Sequence, residues 1–600
     1  MKESEFRVSV GSIPFGFFLG YVILVWLFEV FDLAAFMLDH RQVTVFSRIL
    51  AIIIFCILLY YTRCKISFSY LKVGKIFYIG TILILVLGFF KGIMPDLSYD
   101  TGNYHLLAHN PGFTNYFDKH YGLGNFQVWG FRLGDRLAYP FITVLGYRMG
   151  TLFSSVILTL CYYQIIQLLY LIEIEHIKNS DSKSLRQKII SPEIFALLII
   201  LGQDCLTSLG SYYVDVYAFP IGFEVIRLLI RAKRTKISNN EILYFALLNG
   251  IWFAFKMTNI VFVVPAVIMF IIFVKKINIK TFFASALCCL VPVSVYLIYN
   301  CFCTGNPIYP YFNKLFGSSY WGGSDFKDVR WGGKNFFEQV IWLFYAIFYP
   351  SYRQCEIPNK YTLIYMGGFI TIIWIIVCKL KQKNCKINIH FELVIFIITS
   401  SILWGITTGI QRYYSFGMLM IAVIFYEGLI ILKTKIKIRT PFIIVMLSLC
   451  YITVIQITSV LKGREWAWRN LTGENVQKNM EYVLKDQKYK GDFDWAEVDG
   501  FAIMNCEMGG IANWMNPDAY VLNLSYGNYL SGEELESFIE LKNNLLNKRF
   551  YDIQYPNFDL ESYKNRVDYQ GLAIQEIKNI QTNLGEFVLI RLALGENINE

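Results

Sequence analysis

The chain has 600 residues, of which 55% are hydrophobic, 17% aromatic and only 17% charged. Apolar runs of roughly 18 to 25 residues recur along it, and each is long enough to cross the hydrocarbon core of a bilayer. The pattern excludes a large soluble protein, because soluble domains do not supply so many long apolar runs. The net charge of +10 comes mainly from basic clusters between these runs, so it requires no nucleic-acid partner.

Thirteen membrane spans are predicted, and the fold class is an α-helical polytopic membrane protein. The spans are 11–35, 43–62, 72–94, 141–172, 192–209, 212–230, 241–256, 258–274, 281–302, 361–378, 391–410, 414–432 and 441–461. The first run is too long for a signal-peptide core and lacks a small-residue cleavage site, so it is interpreted as a retained span. A transmembrane domain over 1–461 results, with large loops at 95–140 and 303–360.

Basic residues predict the orientation of these spans. Six alternate loops carry the clusters Arg63/Lys65/Lys72/Lys75, Lys178/Lys183/Arg186/Lys188, Arg231/Lys233/Arg234/Lys236, Lys275/Lys276/Lys280, Lys379/Lys381/Lys383/Lys386 and Lys433/Lys435/Lys437/Arg439. Because such clusters face the cytoplasm, the N-terminus is predicted inside and residues 462–600 outside a bacterial inner membrane. The apolar run 336–350 is short and is interpreted as a helix lying on the outer surface.

The first large outer loop contains the most informative motif, Tyr99-Asp100-Thr101-Gly102-Asn103-Tyr104-His105. A carboxylate and an imidazole at the mouth of a span can accept a proton from the hydroxyl of a substrate at the bilayer surface. The same loop also contains Asp96, His109 and Asp118. An alternative makes Asp100 an ordinary turn residue before glycine. His105 has three open roles, namely substrate binding, orientation of Asp100, or a hydrogen bond to a loop carbonyl.

Two isolated cations, Lys256 and Arg412, are predicted on the outer face, where the positive-inside rule disfavours them. Asp100 and Asp215 are predicted on the same face. An anionic phosphate bound by Lys256 and Arg412 accounts for the two cations, because arginine offers a bidentate fork and lysine a point charge. Snorkelling of each cation to lipid headgroups is the alternative. Asp215 is either a second carboxylate of the site or a helix cap.

Residues 462–600 are polar and are predicted to form a small α/β domain outside the membrane. Strands are expected near 501–505, 519–524 and 586–592, and the capping box Ser531-x-x-Glu534 predicts a helix. Gly509-Gly510 is interpreted as a tight strand-to-helix turn in preference to a phosphate cradle. The 13 cysteines show no paired spacing. No metal-ligand cluster is apparent, so neither a metal nor a cofactor is expected.

Several motifs together resemble bacterial membrane glycosyltransferases of the GT-C class. The Asp100 loop is similar to the D-x-x-x-Y-H pattern of their first large outer loop. Four further segments are similar to motifs of a polysaccharide-locus subgroup, namely Gly122-Leu123-Gly124-Asn125, Thr304-Gly305-Asn306-Pro307-Ile308-Tyr309-Pro310, Thr408-Gly409-Ile410-Gln411-Arg412-Tyr413 and Gly509-Gly510-Ile511-Ala512-Asn513-Trp514. In that class the loop follows the first span, whereas here an additional pair of spans precedes the span that leads into the loop.

The resemblance implies that the loop aspartate is the base that activates an acceptor hydroxyl, and that basic residues bind the phosphate leaving group of a polyprenyl-phosphate sugar. The predicted catalytic residues are Asp100 and His105. The predicted substrate-binding residues are Asp96, Tyr104, Asp215, Lys256, Tyr309, Arg412 and Tyr413. The expected partners are this donor, a glycan or lipid-linked acceptor, and membrane lipids. The alternatives are a polymerase or ligase of the same class, a polysaccharide-precursor transporter or flippase, and a non-enzymatic assembly partner.

Overall fold

The structure is a computed structural model that describes most of the chain. The described residues are 8–38, 44–62, 66–106, 126–178, 191–320, 325–326, 328, 330–354, 359, 362–381, 390–435, 440–461, 473–485, 491–525, 530, 532–545 and 548–595. His109, Asp118, the segment 122–125 and Ser531 lie outside them.

Helices dominate the first 461 residues. In chain order they are α1 (Ile13–Met37), α2 (Thr44–Thr62), α3 (Lys75–Gly92), α4 (Leu133–Met149), α5 (Leu152–Lys178), α6 (Pro192–Ile200), α7 (Gln203–Leu206), α8 (Phe219–Arg234), α9 (Asn239–Phe255), α10 (Ile260–Val274), α11 (Ile279–Thr304), α12 (Asn313–Phe316), α13 (Phe336–Val340), α14 (Trp342–Phe348), α15 (Leu363–Lys381), α16 (Phe391–Thr407), α17 (Ser415–Lys435) and α18 (Thr440–Leu461).

Eight helical segments among the described residues are long and apolar enough to cross a bilayer. They are 13–37, 45–62, 75–92, 152–176, 257–274, 279–304, 363–380 and 411–432. Helix α16 and the segment 443–459 are shorter apolar helices. The chain is therefore a multi-pass, mostly helical membrane protein, as predicted, while the count of thirteen spans stays a prediction.

Three predicted spans have the wrong bounds. The predicted span 141–172 is divided between α4 and α5, because Gly146 adopts φ 78° and interrupts the helix. The predicted span 192–209 ends as a helix at Ile200 and is followed by the separate four-residue α7. The predicted span 212–230 becomes helical only at Phe219. The predicted surface helix 336–350 consists of α13 and α14, of five and seven residues, which are too short to span.

The described C-terminal residues contain a five-stranded sheet. Its strands are β3 (Gly500–Ile503), β4 (Tyr520–Asn523), β5 (Phe550–Gln554), β6 (Leu572–Thr582) and β7 (Gly585–Leu594), and the helices around it are α19 (Gly473–Lys485), α20 (Gly509–Met515), α21 (Gly532–Leu545) and α22 (Leu560–Tyr569). The strand order is β4-β3-β5-β7-β6. β3 pairs in parallel with β4 and β5, while β7 is antiparallel to β5 and β6. Near the N-terminus, β1 (Val8–Val10) pairs in parallel with β2 (Ile66–Phe68).

The C-terminal sheet region packs on the loop that follows α3. The guanidinium group of Arg148, at the end of α4, is buried and donates to the backbone carbonyls of Ile93 and Asn583 and to the side chain of Asn479. The Tyr555 hydroxyl donates to the carbonyl of Leu97. The motif loop and the C-terminal region therefore lie at the same end of the helix bundle.

Candidate functional site

A cavity of about 1710 Å³ opens at this end of the bundle. Its wall combines the motif loop, the start of α4, the turn after α9, the loop after α11 and the turn between α16 and α17. Seven of the nine predicted site residues line it, namely Asp100, Tyr104, His105, Lys256, Tyr309, Arg412 and Tyr413. Residues that are up to 313 positions apart in the chain are thus brought to one chamber.

Asp100 lies in a helical turn that continues as a π-helical turn over Thr101–His105. Such π-turns occur frequently at functional sites. The Asp100 carboxylate makes no capping hydrogen bond to this turn and instead forms an ion pair with the guanidinium group of Arg412. The alternative that Asp100 is a simple turn residue therefore has no support in its contacts.

Asp215, which was predicted to bind substrate, is not among the residues that line the cavity but joins the two cations. One of its carboxylate oxygens lies 2.8 Å from Nζ of Lys256, and the other lies 3.6 Å from Nε of Arg412. The side chain makes no hydrogen bond to the short turn that Asp215 precedes, so it does not act as a helix cap. The result is a continuous chain of alternating charges, Asp100–Arg412–Asp215–Lys256.

Aromatic rings hold the two cations in place. The Arg412 guanidinium carbon lies 4.7 Å from the ring centre of Tyr213, and Nζ of Lys256 lies 4.3 Å from the ring centre of Tyr413. Cation–π contacts of this kind favour the charged forms of both side chains at fixed positions. These cations do not project into lipid headgroups, which argues against snorkelling as the reason for their placement.

Burial and neighbouring charges set the protonation of this cluster. Burial acts to raise the pKa of Asp100, but the charges of Arg412, His105 and Lys256 outweigh it and hold the pKa below its ordinary value. For Lys256, burial is the largest influence and lowers the pKa of the ammonium group, although Asp215 opposes the shift. Asp100 is therefore ionised throughout the physiological pH range, as a proton acceptor must be.

His105 is paired with a carboxylate that the sequence analysis missed. Its Nδ1 bonds a carboxylate oxygen of Asp135, in the first turn of α4. Its Nε2 is buried and has no hydrogen-bond partner among the described residues. A carboxylate on one ring nitrogen orients the imidazole and leaves the other nitrogen for substrate. Of the three roles considered for His105, this geometry favours substrate binding.

Asp96 does not line the cavity. Its carboxylate accepts hydrogen bonds from the backbone N–H groups of Ser98 and Tyr212 and from the Thr101 hydroxyl, at 2.8–3.1 Å. These bonds connect the motif loop to the chain after α7. Asp96 therefore stabilises the motif loop without lining the cavity, and it is not positioned to contact substrate directly.

Tyr309 and Tyr104, two of the predicted substrate-binding tyrosines, both line the cavity. The Tyr309 hydroxyl donates to the carbonyl of Tyr320 at 2.8 Å, so Tyr309 offers the cavity its ring and backbone. The preceding Asn306 fixes this loop by bonding the backbone of Ile308 and Tyr311. The ring of Tyr104 lies 4.3 Å from the imidazole of His105 and forms part of the wall beside it.

One part of the cavity wall is apolar. It is formed by Ile260, Val261 and Val264 of α10 and by Leu403 and Ile406 of α16. Val264 and Ile406 are exposed, at 37% and 40%. The cavity therefore has an apolar side next to the charged cluster.

The C-terminal region supports the motif loop through two glycines. A Cβ added at Gly102 would overlap the carbonyl of Glu507, and one added at Gly510 would overlap the carbonyl of Gly102. The Gly509-Gly510 pair thus begins helix α20 and allows its backbone to approach the loop closely. This contact accounts for the glycine pair without a phosphate cradle.

The sequence analysis also missed Arg132, which lines the cavity and bonds Glu29 of α1 at 3.2 Å. In the sequence, the residues Arg132 to Arg136 precede the apolar run 141–172, as Lys256 precedes the run 258–274. A charge beside an apolar run, the signal that identified Lys256, could also have identified these residues, but the sequence analysis treated them only as part of the loop 95–140. The sequence analysis also identified no metal-ligand cluster, whereas His176, His390 and Glu427 converge elsewhere in the described structure.

Comparison with protein families and with curated proteins finds no match. Among solved structures, the chain is similar to ArnT from Cupriavidus metallidurans bound to undecaprenyl phosphate, with a TM-score of 0.45, 9% identity, and coverage of 86% of this chain and 97% of that one. It is also similar to an Archaeoglobus fulgidus oligosaccharyltransferase tethered with an acceptor peptide, with a TM-score of 0.42, 14% identity, and coverage of 82% and 70%.

Proposed function

We propose that the protein is an integral-membrane glycosyltransferase that moves a sugar from a polyprenyl-phosphate donor to a hydroxyl of a glycan or lipid-linked acceptor on the outer face of the membrane. The observation that carries the proposal is a cavity with one apolar side that is lined by Asp100, Arg412 and Lys256, with Asp215 paired to both cations. The apolar side suits a polyprenyl chain, and the cations suit a phosphate. The carboxylates suit a hydroxyl group that must lose a proton.

In the proposed reaction, Asp100 accepts the proton of the acceptor hydroxyl as its oxygen attacks the anomeric carbon. The bond between that carbon and the phosphate oxygen breaks, and its electron pair leaves with the lipid phosphate. Attack from the face opposite the leaving group inverts the anomeric centre. General-base catalysis contributes about 10² to 10⁴ in rate.

Arg412 and Lys256 stabilise the charge that develops on the leaving phosphate, a contribution that is usually larger than base catalysis. Arg412 is bound to Asp100 in the empty site, so phosphate binding to Arg412 also loosens the hold on the base. Asp215 retains contact with both cations and keeps them together. In the proposed reaction, the Nε2 atom of His105 bonds a sugar hydroxyl.

The position of the polar groups distinguishes transfer from transport. Transporters place their binding groups near the middle of the bilayer. The charged residues of this cavity stand after α3, after α9 and between α16 and α17, at one end of the bundle. This arrangement favours chemistry at the membrane surface over passage through it.

The test is the substitution Asp100→Asn, which preserves the shape of the side chain and its ability to accept a bond from Arg412. We expect transfer to fall by about 10² to 10⁴, with normal membrane insertion. The assay supplies purified enzyme with a panel of polyprenyl-phosphate hexoses and pentoses and the envelope glycan, and measures released polyprenyl phosphate. Asp499→Asn is the matched control, because Asp499 forms an exposed pair with Arg549. Full activity of Asp100→Asn would remove Asp100 from the role of base.

A further inference from the structure

A second cluster of chemically capable side chains lies at the opposite end of the bundle from the cavity. It consists of His176 near the end of α5, His390 immediately before α16, and Glu427 in α17. Helix α17 begins at Ser415 in the cavity wall, and Glu427 is twelve residues further along. A rise of 1.5 Å per residue separates the two positions by about 18 Å. The cluster is therefore unrelated to the proposed transfer site.

The three side chains are arranged around one point. His176 Nε2 lies 3.1 Å from an oxygen of Glu427, and His390 Nδ1 lies 3.0 Å from the same oxygen. The three ligand atoms all lie within 4.8 Å of one another. In a four-coordinate zinc site with bonds of about 2.0 to 2.1 Å, neighbouring ligand atoms are about 3.3 Å apart. Small side-chain adjustments thus suffice to admit an ion.

The surroundings of His390 match those of a metal-binding histidine. Its second ring nitrogen, Nε2, lies 3.2 Å from an oxygen of Glu175, which in turn pairs with Arg234 at 2.7 Å. A carboxylate on the outer nitrogen of a ligating imidazole fixes its tautomer and orientation. This leaves Nδ1, the nitrogen that faces Glu427, with the lone pair that a metal requires.

Glu427 supplies the independent observation. It is fully buried, and its Oε2 atom has no hydrogen-bond partner among the described residues. An unsatisfied buried carboxylate oxygen is costly. Its other oxygen is already crowded, since it accepts the backbone N–H of His390 at 3.0 Å and faces both imidazoles. A cation among the three side chains would satisfy both oxygens.

We propose that His176, His390 and Glu427 bind one divalent transition-metal ion of the zinc class, with water in the remaining position. Two imidazoles and one carboxylate form a set that suits zinc and its neighbours, whereas magnesium and calcium prefer oxygen ligands. A divalent ion with neutral imidazoles has the same charge as two imidazolium ions, so metal and protons compete for the site. The ion joins α5, α16 and α17 far from the cavity and thereby stabilises the bundle.

The experiment uses the full chain in detergent, purified without a histidine tag, stripped with a chelator and titrated with Zn²⁺ against a chromophoric indicator. We expect one zinc per chain, and a rise in melting temperature that follows the free zinc concentration. His176→Gln and Glu427→Gln should each lose at least tenfold in affinity. The matched control is Glu392→Gln, which removes a charge at the same helix end from a residue that pairs with Lys233 and Arg234.

The absence of stoichiometric zinc binding in the wild type would overturn the proposal, as would equal affinity in the two ligand variants and the control. If the variants do not fold, Co²⁺ bound to the wild type decides the matter. Four- or five-coordinate Co²⁺ with nitrogen ligands absorbs strongly in the visible, which supports the site, while the weak spectrum of octahedral Co²⁺ contradicts it. None of these measurements depends on glycosyl transfer, so the two proposals can fail separately.

Discussion

Arg412 has two electrostatic partners, one in the empty cavity and one in the proposed reaction. It neutralises Asp100 in the empty cavity, and in the proposed reaction it neutralises the leaving phosphate. Lys256 is joined to it through Asp215 at 2.8 Å and 3.6 Å. Because two carboxylates and two cations balance, this four-residue cluster has no net charge, which lowers the cost of burying it.

The pH dependence of transfer should reflect the pKa of Asp100, which burial raises and the neighbouring charges lower. The charges around this carboxyl hold its pKa below the ordinary value of about 3.9, so it stays ionised as the pH falls through that value. We expect no loss of kcat/KM from Asp100 above about pH 4. In Arg412→Gln the opposing charge is removed and burial, the largest influence, raises the pKa. The residual activity of this variant should then show an acidic limb at higher pH.

Activity-versus-pH profiles of the wild type, Arg412→Gln and the exposed control Arg549→Gln provide the measurement. The control should keep the profile of the wild type. An unshifted acidic limb in Arg412→Gln would contradict the assigned electrostatic role of the guanidinium group.

A basic limb is expected from Lys256. Burial lowers the pKa of this ammonium group, so it loses its proton as the pH rises sooner than an ordinary lysine does. We expect KM for the donor to increase at alkaline pH, and Lys256→Arg to remove the increase because arginine remains charged. Donor saturation curves from pH 7 to about pH 10 give the test. The same alkaline increase in both proteins would exclude Lys256 as the phosphate ligand that titrates.

The site residues show how much of the cavity could be predicted from the sequence. Asp100, Lys256 and Arg412 were found because each is a charge at the end of an apolar run, where function is the common reason for its presence. Asp135 was missed because its partnership with His105 depends on the fold of an outer loop. The ligands of the proposed metal site were missed because His176 and Glu427 are separated by 251 positions and have no local motif.

Among the secondary-structure elements, apolar runs predicted most helices, but hydropathy does not detect breaks inside a run. Gly146 interrupts the predicted span 141–172 through a backbone conformation that side chains disfavour, and its φ of 78° cannot be predicted from hydropathy. The C-terminal strands were predicted near their observed positions at β3, β4 and β7, because short continuous apolar runs are typical of buried strands.

The close contact between helix α20 and the motif loop gives a testable prediction. The substitution Gly510→Ala places a methyl group against the carbonyl of Gly102, a backbone atom that can move only with the motif loop. We expect kcat/KM for transfer to fall by about 10²-fold, since a displacement of about 1 Å from productive geometry has such effects. Gly473→Ala is the control, because its added Cβ meets open space. Equal activities of the two variants at equal protein levels would show that the loop does not depend on α20.

The whole molecule has two distinct ends. One end combines the cavity and the C-terminal sheet region, and the other combines the basic residues Lys233 and Arg234 with the proposed metal site. The positive-inside rule predicts that the basic end faces the cytoplasm. The cavity, the C-terminal region and the lipid-linked donor then share the outer side.

Reporter fusions test this orientation. A C-terminal alkaline phosphatase fusion should be active, because this enzyme folds only outside the reducing cytoplasm. A green fluorescent protein at the end of the described α9, after Phe255, should be dark, while one in the basic loop after Arg234 should fluoresce. Fluorescence of the fusion after Phe255, together with a dark fusion after Arg234, would reverse the predicted topology.

The contact between Gly102 and Gly510 has a consequence for biosynthesis. The two residues are 408 positions apart, so at 5–20 residues per second a ribosome needs roughly 20 to 80 s to make the second after the first. In the predicted orientation, the motif loop crosses the bilayer before the segment that supports it has been made. We therefore expect a nascent chain to gain the proposed transfer activity only after the region around Gly510 has been translocated and docked.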